Sequence, residues 1–484
     1  MRQTPTGFRR FHANALKIRH CNERLRPTRL HMCHTALEPR RIVLTTFGSL
    51  GDLYPFLALA RELKDRGHDP VVATSACYGP LVKSQGVSFY SVRPDIGDFE
   101  PAFIKRTWDR RKGSEFLIRE LLLPNLRDSY ADLIAACNGA DLLITHPLVF
   151  AGSLVAEKTG IDWATGAITP TVFLSAYDPP VFASAPGLIL NGLGPRICGT
   201  ILHLVQRYAD SWFGPWRQFR SEIGLPPKTF NPVFDGQFSP QLVLALFSRL
   251  MSSPKPDWPA NTVQTGFPFL DGSNEATGLD PDLGAFLAAG DPPVLITLGS
   301  AGITDAGAFY TQAALAAHRL GLRSISICGS DPSNQPAHLP PNAFSYAFAP
   351  YSLIMPRTCA VIHQGGIGTT ARAMLSGKPM LVVPFGFDQF DNAARVSRLG
   401  IALTLPLRRF TAARAAALLK RLVSEVNYTG AAEQISRQVQ AESGVSVACD
   451  RLEGLVSIDT HHFSSSRRPW SEGESHPSSD WKLP

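Results

Sequence analysis

The chain lacks the features that mark several large classes of protein. In its 484 residues, no run approaches the about 18 to 20 apolar residues that a membrane-spanning helix needs. Its eight cysteines are scattered without a C-x-x-C pair, which argues against a zinc site or a disulfide framework and suits a reducing cytosol. Charged residues make up only 18% and hydrophobic residues 44%, an ordinary globular composition that excludes a disordered or fibrous protein.

The net charge of +7 is confined to one end of the chain. Residues 1–40 contain nine basic and two acidic residues, and the remainder carries equal numbers of both. Because the rest of the chain has no net charge, it lacks the excess of basic residues that is typical of a nucleic-acid-binding protein. Nucleic-acid binding is therefore excluded. Residues 1–39 have no apolar core of a secretory signal and are predicted to be a disordered basic leader. A mitochondrial targeting sequence and a start assigned upstream of Met32 are the alternatives.

From residue 41 onward, short apolar runs alternate with helical patterns. Uninterrupted apolar runs are typical of strands buried on both faces of a parallel sheet. The predicted strands cover residues 42–47, 71–74, 87–92, 141–146, 164–168, 242–247, 294–299, 324–328, 360–363, 380–384 and 402–405. Alternating strands and helices predict an α/β protein with two Rossmann-like, doubly wound domains.

The boundary between the two domains is indicated by two stretches rich in Pro, Gly, Ser and Asp, residues 251–259 and 267–291. We predict a first domain over residues 40–262 and a second over residues 263–430. A helical segment is predicted to follow over residues 431–456. Residues 457–484 are rich in serine and are predicted to be a disordered tail.

The first strand runs into a glycine-rich turn, FGSLGDLYP (47–55). Gly48 and Gly51 permit a tight turn, and we expect the helix to begin near Asp52 or Pro55. Such a turn places backbone N–H groups and a helix N-terminus at the carboxyl edge of a sheet, where ligands bind. Asp52 is either a functional carboxylate or only a helix cap. The helix N-terminus is expected to lower the pKa of Asp52.

A second, more specific turn follows the strand that ends at His363. Small residues open the next helix: Gly365, Gly366, Gly368, Thr369 and Thr370. They predict an anion cradle, in which the backbone approaches a phosphate closely and the helix N-terminus supplies positive potential. His363 adds a hydrogen-bond donor. One strand later, Asp388 and Gln389 offer a carboxylate and an amide that suit sugar hydroxyls.

Together these residues resemble the GT-B glycosyltransferases that use nucleotide-diphosphate sugars, among them the sterol, macrolide and glycopeptide-antibiotic enzymes. The resemblance covers roughly residues 40–455, and its signature is the block from His363 to Asn392. Local matches bring the chain nearest to the catalytic rhamnosyltransferase of bacterial rhamnolipid synthesis. They are AEKTG (156–160), SAYDPP (175–180), SP (239–240), DWP (257–259) and TGFPFLDG (265–272).

The resemblance implies two domains facing across a cleft, with the nucleotide sugar on the second domain and the acceptor on the first. It assigns nucleotide-sugar binding to the following residues: Ser300, Phe348, Tyr351, His363, Gly365, Gly366, Gly368, Thr369, Asp388, Gln389 and Asn392. Phe348 and Tyr351 would frame the base, with core packing as the alternative. Ser300 and the glycine-rich backbone would bind the diphosphate, and His363 would donate to it.

For the sugar, the resemblance assigns Asp388 and Gln389 to the hexose and Asn392 to the phosphate or the turn. It implies inverting transfer of a hexosyl group to a hydroxyl, with Asp52 as the general base. UDP-glucose and dTDP-rhamnose both fit as donors. A nucleotide-sugar-binding protein or an epimerase of the same fold is the alternative, although neither would need Asp52 on the acceptor side.

Neither a metal nor another cofactor is expected. The single D-x-D match, Asp280 to Asp282, is typical of a helix start. Aromatic and aliphatic residues in 99–126 and 171–219 predict an apolar pocket, and hence a lipid-like or sterol-like acceptor. Basic residues interleaved with Trp108, and with Trp212, Phe213 and Trp216, indicate either docking on an anionic membrane or a solvated helix face. A cytoplasmic location is expected, with peripheral membrane contact left open.

Overall fold

The computed structural model describes residues 38–96, 101–188, 190–270, 278–300, 306–329, 331–336 and 338–457. Residues 1–37 of the predicted leader and residues 458–484 of the predicted tail lie outside the described residues. Within the described ranges, no helix combines the length and the apolarity needed to cross a bilayer.

The first half of the chain builds a parallel sheet. Its strands are β1 (Arg41–Thr45), β2 (Asp69–Thr74), β3 (Ser88–Ser91), β4 (Leu142–Thr145), β5 (Asp162–Ala167), β6 (Leu242–Ala245) and β7 (Thr262–Gln264). Its helices are α1 (Leu50–Asp65), α2 (Gly79–Ser84), α3 (Pro101–Thr107), α4 (Gly113–Phe116), α5 (Leu126–Ala136), α6 (Gly152–Thr159), α7 (Pro195–Asp210) and α8 (Gly214–Glu222). The strand order is β3-β2-β1-β4-β5-β6-β7.

The second half repeats this plan. Its strands are β8 (Val294–Thr297), β9 (Ser324–Ile327), β10 (Ala343–Tyr346), β11 (Ala360–His363), β12 (Met380–Val382) and β13 (Ala402–Thr404). Its helices are α9 (Pro281–Ala288), α10 (Phe309–His318), α11 (Tyr351–Ile354), α12 (Ile367–Leu375), α13 (Gln389–Arg398), α14 (Ala412–Ser424), α15 (Val426–Gln440) and α16 (Gly444–Ser457). The strand order is β10-β9-β8-β11-β12-β13.

The two doubly wound parallel sheets confirm the predicted architecture. Ile42, Val43 and Leu44 of β1 are fully buried because helices cover both faces of the sheet. Every predicted strand is present, and the described residues contain two further strands, β7 and β10. These two lie at sheet edges and are only half-buried, so their sequences lack the uninterrupted apolar run that marks the others.

The last helices tie the end of the chain back to its first half. Helix α15 begins at Val426, five residues before the predicted helical segment, because nothing in residues 426–430 stops a helix. Helix α16 then packs against α1, where Arg66 forms ion pairs with Asp450 at 2.6 Å and Glu453 at 2.9 Å. The carboxyl-terminal segment is therefore part of the packing of the first sheet.

A buried ionic network joins the two halves beside the cleft. Arg395 of α13 pairs with Asp391 at 2.6 Å and also with Asp178 of the first half. Asp391 accepts hydrogen bonds from the Thr171 hydroxyl at 3.0 Å and the Val181 N–H at 3.1 Å. Because a buried charge without its partner is costly, this network fixes the 171–181 loop against α13.

Candidate active site

The turn after β1 is shaped by a capping box at the start of α1. Ser49 is the N-cap, and the helix begins at Leu50 rather than near Asp52 or Pro55 as expected. The Ser49 hydroxyl accepts from the Gly51 N–H at 3.2 Å, while the Ser49 N–H donates to Oδ2 of Asp52 at 2.7 Å. Gly48 has φ +132°, and a Cβ there would collide with Asp52 Oδ2. A glycine is therefore required beside the carboxylate.

The two oxygens of the Asp52 carboxylate make different contacts. Its Oδ2 completes the cap, while its Oδ1 faces the imidazole of His146, with Nε2 3.7 Å away. Burial raises the pKa of Asp52 to about 6, against the hydrogen bonds from Ser49 that lower it. The expected lowering of this pKa is thus wrong, because the cost of desolvation exceeds the stabilisation by the helix terminus. Asp52 is a stronger base than a free aspartate.

His146 is a site residue that the sequence did not reveal. It follows β4 directly, is 5% exposed, and packs edge-on to Phe56. Its Nδ1 accepts the backbone N–H of Leu148 at 3.2 Å, and burial lowers its pKa to about 3. The ring is therefore neutral and carries its proton on Nε2, the atom directed at Asp52. The available signal was its position directly after a predicted strand; that this strand neighbours β1 is known only from the structure.

The N-terminus of α12 is open for an anion. Gly366 is its N-cap and provides no side-chain cap, so the N–H groups at the start of the helix lack that partner. The Nδ1 of His363 accepts the Gly365 N–H at 3.1 Å, which places the proton on Nε2, a fully buried atom without a partner. Burial lowers the pKa of His363 to about 3, so it donates a hydrogen bond without adding charge.

The walls of this cradle come from β8 and α11. A Cβ on Gly299 would lie 2.5 Å from Nε2 of Gln364, so the loop after β8 touches the loop after β11. The Tyr351 hydroxyl is 2.6 Å from Oγ1 of Thr297, and burial raises its pKa to about 12. Phe348 is 59% exposed, which excludes core packing for this ring and leaves its face free for stacking. Ser300 is exposed in the turn directly after β8.

Asp388, Gln389 and Asn392 meet at the start of α13. The Asn392 amide donates to Gly365 O at 3.0 Å and to Asp388 Oδ2 at 2.8 Å, so Asn392 supports the turn. The Oε1 of Gln389 accepts a hydrogen bond from the Phe385 N–H at 2.9 Å. The Nε2 of the same amide takes no part in this contact. Burial, with a smaller contribution from the negative charges of Asp52 and Asp391, raises the pKa of Asp388 to about 7.

The two glycine-rich turns meet across the cleft. A Cβ on Gly368 of α12 would lie 3.7 Å from the Cα of Gly51 in α1. The influence of Asp52 on the pKa of Asp388 likewise places these two carboxylates within electrostatic reach. The structure thus brings the predicted acceptor-side and donor-side groups to one place.

Trp108 lies in this cleft rather than on an outer surface. Its ring contacts Gly386, where a Cβ would be 3.2 Å from Cε3, and it packs edge-on to Phe387 at 5.1 Å between centroids. Phe387 has φ +51°, a left-handed conformation that is unfavourable for a bulky residue. Trp108 and Gln389 therefore hold the loop before Asp388 in a strained shape.

Part of the aromatic and basic segments, for which either membrane docking or a solvated helix face was expected, is internal. Phe213 and Trp216 are fully buried, and Arg220 is buried in an ion pair with Glu157 at 2.5 Å. These aromatic rings fill the core and the guanidinium is neutralised locally, so they do not offer a docking surface, while membrane contact by other residues stays a prediction. Asp280 of the D-x-D match caps α9 and accepts the Tyr346 hydroxyl at 2.8 Å.

A narrow crevice lies near His146, among the residues that the structure describes. It lies between β1 and α5, has a volume of about 20 Å³, and is lined largely by apolar side chains such as Phe47, Leu126, Leu148 and Val149. This space holds about one water molecule. The body of an acceptor would therefore lie along the cleft rather than inside this crevice.

Comparisons with known proteins match both halves of the chain. Residues 42–177 match the glycosyltransferase family 28 N-terminal domain. Residues 326–453 match the erythromycin biosynthesis protein CIII-like C-terminal domain. The O-mycaminosyltylonolide 6-deoxyallosyltransferase of Streptomyces fradiae is 32% identical over 439 residues, which cover 87% of this chain and 98% of that enzyme.

More distant relatives have the same fold. A sterol 3-beta-glucosyltransferase of Leptosphaeria maculans is 30% identical over 76% of this chain, which spans only 26% of that enzyme. The solved glycotransferase of kitacinnamycin superposes with a TM-score of 0.64 at 19% identity, covering 86% of this chain and 99% of that one. The glycosyltransferase VinC, solved in complex with dTDP, gives a TM-score of 0.60 at 21% identity, covering 86% and 100%.

Proposed function

Because the chain belongs to the GT-B glycosyltransferases, with a family 28 amino-terminal half and an EryCIII-like carboxyl-terminal half, we propose an inverting hexosyltransferase that acts on the hydroxyl of an apolar acceptor. The family resemblance drawn from the sequence is confirmed, and sugar transfer to a small molecule is the activity of these relatives. The arrangement that carries the proposal is a buried carboxylate, Asp52, facing an uncapped helix N-terminus across one cleft.

The acceptor hydroxyl would bind at Oδ1 of Asp52. The hydroxyl oxygen forms the new bond to C1 of the sugar, and its proton passes to the carboxylate. The raised pKa of Asp52, about 6, leaves the group mostly ionised at neutral pH yet basic enough to accept the proton as the bond forms. The neutral His146 stands behind Oδ1 and orients it through Nε2–H.

The nucleotide diphosphate would leave from the opposite face of the sugar. The bond from C1 to the β-phosphate oxygen breaks, and the electron pair departs with the diphosphate. The uncapped N–H groups at the start of α12 and the unpartnered Nε2–H of His363 would stabilise this developing charge. Attack and departure on opposite faces invert the configuration at C1.

Asp388 and Gln389 would hold the hexose. Asp388 faces Asp52, and its carboxylate is fixed through Oδ2 by Asn392, so Oδ1 can accept a sugar hydroxyl. Gln389 would donate through Nε2. Phe348 would stack on the base, since its ring is exposed near the cradle. Neither a metal nor a further cofactor has a role in this scheme.

The donor and acceptor classes remain proposals supported by the relatives. VinC was solved with dTDP, which favours a thymidine-diphosphate or uridine-diphosphate sugar. The relatives named above are a tylonolide and a sterol glycosyltransferase, which favours an apolar acceptor for this chain as well. The placement nearest to the rhamnolipid rhamnosyltransferase, a cytoplasmic location and membrane contact stay predictions.

A matrix of donors and acceptors tests the proposal. UDP-glucose and dTDP-rhamnose are each incubated with 3-hydroxyacyl lipids, sterols and macrolide aglycones, and the products are detected by mass spectrometry. We expect one donor–acceptor pair to give a glycoside whose anomeric configuration, read by NMR, is opposite to that of the donor. A retained configuration would contradict the mechanism. Donor epimerisation without transfer would support the alternative activity.

A further inference from the structure

A second pocket lies at the carboxyl edge of the second sheet, beyond α13. It encloses about 470 Å³, within the usual range for small-molecule sites. Three arginines and three apolar side chains define what we call the arginine pocket: Arg110, Arg408, Arg409, Phe385, Phe390 and Leu407. None of them has a role in the transfer scheme above.

The arginines of this pocket converge from both halves of the chain. Arg110 lies between α3 and α4, only two residues after Trp108, which packs on Phe387. Arg408 and Arg409 belong to the single helical turn Leu407–Arg409 that follows β13. The contact between Trp108 and the Phe387 loop therefore helps to set the distance between Arg110 on one side of the pocket and Arg408 and Arg409 on the other.

No acid neutralises these three side chains among the residues that the structure describes. The guanidinium of Arg110 has only the ring of Phe390, 5.8 Å from its centroid. Its neighbour Asp109 is occupied by the N–H groups of Arg111 and Lys112, at 2.9 Å and 2.7 Å. Burial and the positive charges of Arg408 and Arg111 lower the pKa of Arg110, and the charge of Asp109 offsets this only in part.

Converging arginines without counter-charges are suited to an anion. The planar guanidinium donates paired hydrogen bonds that match a carboxylate or a phosphate. An anion between Arg110 and Arg408 would remove their repulsion. The floor of the pocket is apolar, since Phe390 is buried and Phe385 and Leu407 are partly exposed. Such a floor favours a hydrocarbon body over a small hydrated ion.

We propose that the arginine pocket binds an amphiphilic organic anion, namely a carboxylate or phosphate monoester on an aliphatic chain. Its charged group bridges Arg110 with Arg408 and Arg409, and its chain lies on Phe385, Phe390 and Leu407. Because the charged group contacts both halves, binding also strengthens their association. The proposal concerns binding alone and does not rest on the transfer reaction.

Isothermal titration of the full chain with octanoate, octyl phosphate, 1-octanol, acetate and inorganic phosphate tests this. We expect octanoate and octyl phosphate to bind, and the neutral alcohol and the chain-free ions to bind about tenfold more weakly or worse. The double variant Arg408→Gln/Arg409→Gln, and separately Arg110→Gln, should weaken octanoate binding about tenfold or more. Arg437→Gln, an exposed arginine on α15, is the matched control and should leave binding unchanged.

Three results would overturn the proposal. The first is equal affinity for 1-octanol and octanoate, which would make the pocket a non-specific apolar surface. The second is equal affinity for inorganic phosphate, which would make it a simple ion site. The third is capture of the chain by phosphatidylglycerol vesicles without binding of free octanoate, which would indicate surface attraction to headgroups. Thermal unfolding of each variant shows whether a loss of binding reflects a loss of fold.

Discussion

The Nε2 of His146 lies 3.7 Å from Oδ1 of Asp52, and a neutral imidazole thus stands behind a carboxylate whose other oxygen caps α1. The proposed base lies in the helix after β1 and His146 lies at the end of β4, and β1 and β4 are neighbouring strands of one sheet. Because Nδ1 of His146 accepts the Leu148 N–H, the ring has one fixed tautomer. In the proposed mechanism, His146 would position Asp52 and would not exchange protons.

Asp52→Asn should abolish most turnover while preserving the fold. Loss of a general base costs about 10² to 10⁴ in rate. Asparagine can still accept the Ser49 N–H, so the capping box keeps its main contact. Nucleotide affinity, measured by calorimetry, should stay within about twofold because the diphosphate binds at α12. A variant with more than half of the wild-type rate would refute the base assignment.

The same substitution should raise stability at alkaline pH. The folded pKa of Asp52, about 6, exceeds its ordinary value of 3.8, so ionisation above pH 6 disfavours the folded state. We therefore expect Asp52→Asn to have a higher Tm than wild type at pH 8. At pH 4 the difference in Tm between the variant and the wild type should be smaller, because Asp52 is then protonated in the folded wild type. A lower Tm for the variant at pH 8 would show that the charge stabilises the site.

Turnover of the wild type should fall below about pH 6, where Asp52 becomes protonated. His146→Ala should lower kcat and move this acid limb to higher pH, because the Nε2–H of His146 favours the ionised carboxylate. The ring does not gain a proton itself, since burial lowers the pKa of His146 to about 3. If His146→Ala reduces the rate but leaves the acid limb of the pH profile unchanged, then His146 serves only as packing beside Phe56.

His363→Ala and Asp388→Ala should impair catalysis by different routes. The first removes the Nε2 donor of the ring whose Nδ1 accepts the Gly365 N–H just before α12, so it should weaken binding of free UDP or dTDP. The second removes a sugar contact and should leave free nucleotide binding nearly unchanged. Calorimetry with the bare nucleotide separates the two. Equal losses would mean that phosphate and sugar are not recognised by separate groups.

The fold and the uncapped start of α12 were predictable because local sequence determines them. Uninterrupted apolar runs such as β1 and β11 can only be buried strands, and the glycines after His363 directly encode an open helix start. The position of His146 was not predictable, because it depends on which strands become neighbours. Trp108 was misassigned for a similar reason: its partner, Phe387, is remote in the chain. The raised pKa of Asp52 follows from packing, which no single segment encodes.

Catalysis should not depend on a divalent metal. A metal-dependent transferase holds its ion against the diphosphate with carboxylates, and chelation stops the reaction. Here the segment from Gln364 to Thr370 contains no carboxylate, and Asp391 is already occupied by Arg395 at 2.6 Å. Asp280 caps α9, so Asp280→Asn, which keeps the cap, should leave the rate unchanged. We expect excess EDTA to leave the initial rate unchanged; inhibition by EDTA that magnesium or manganese reverses would establish a metal site at the diphosphate.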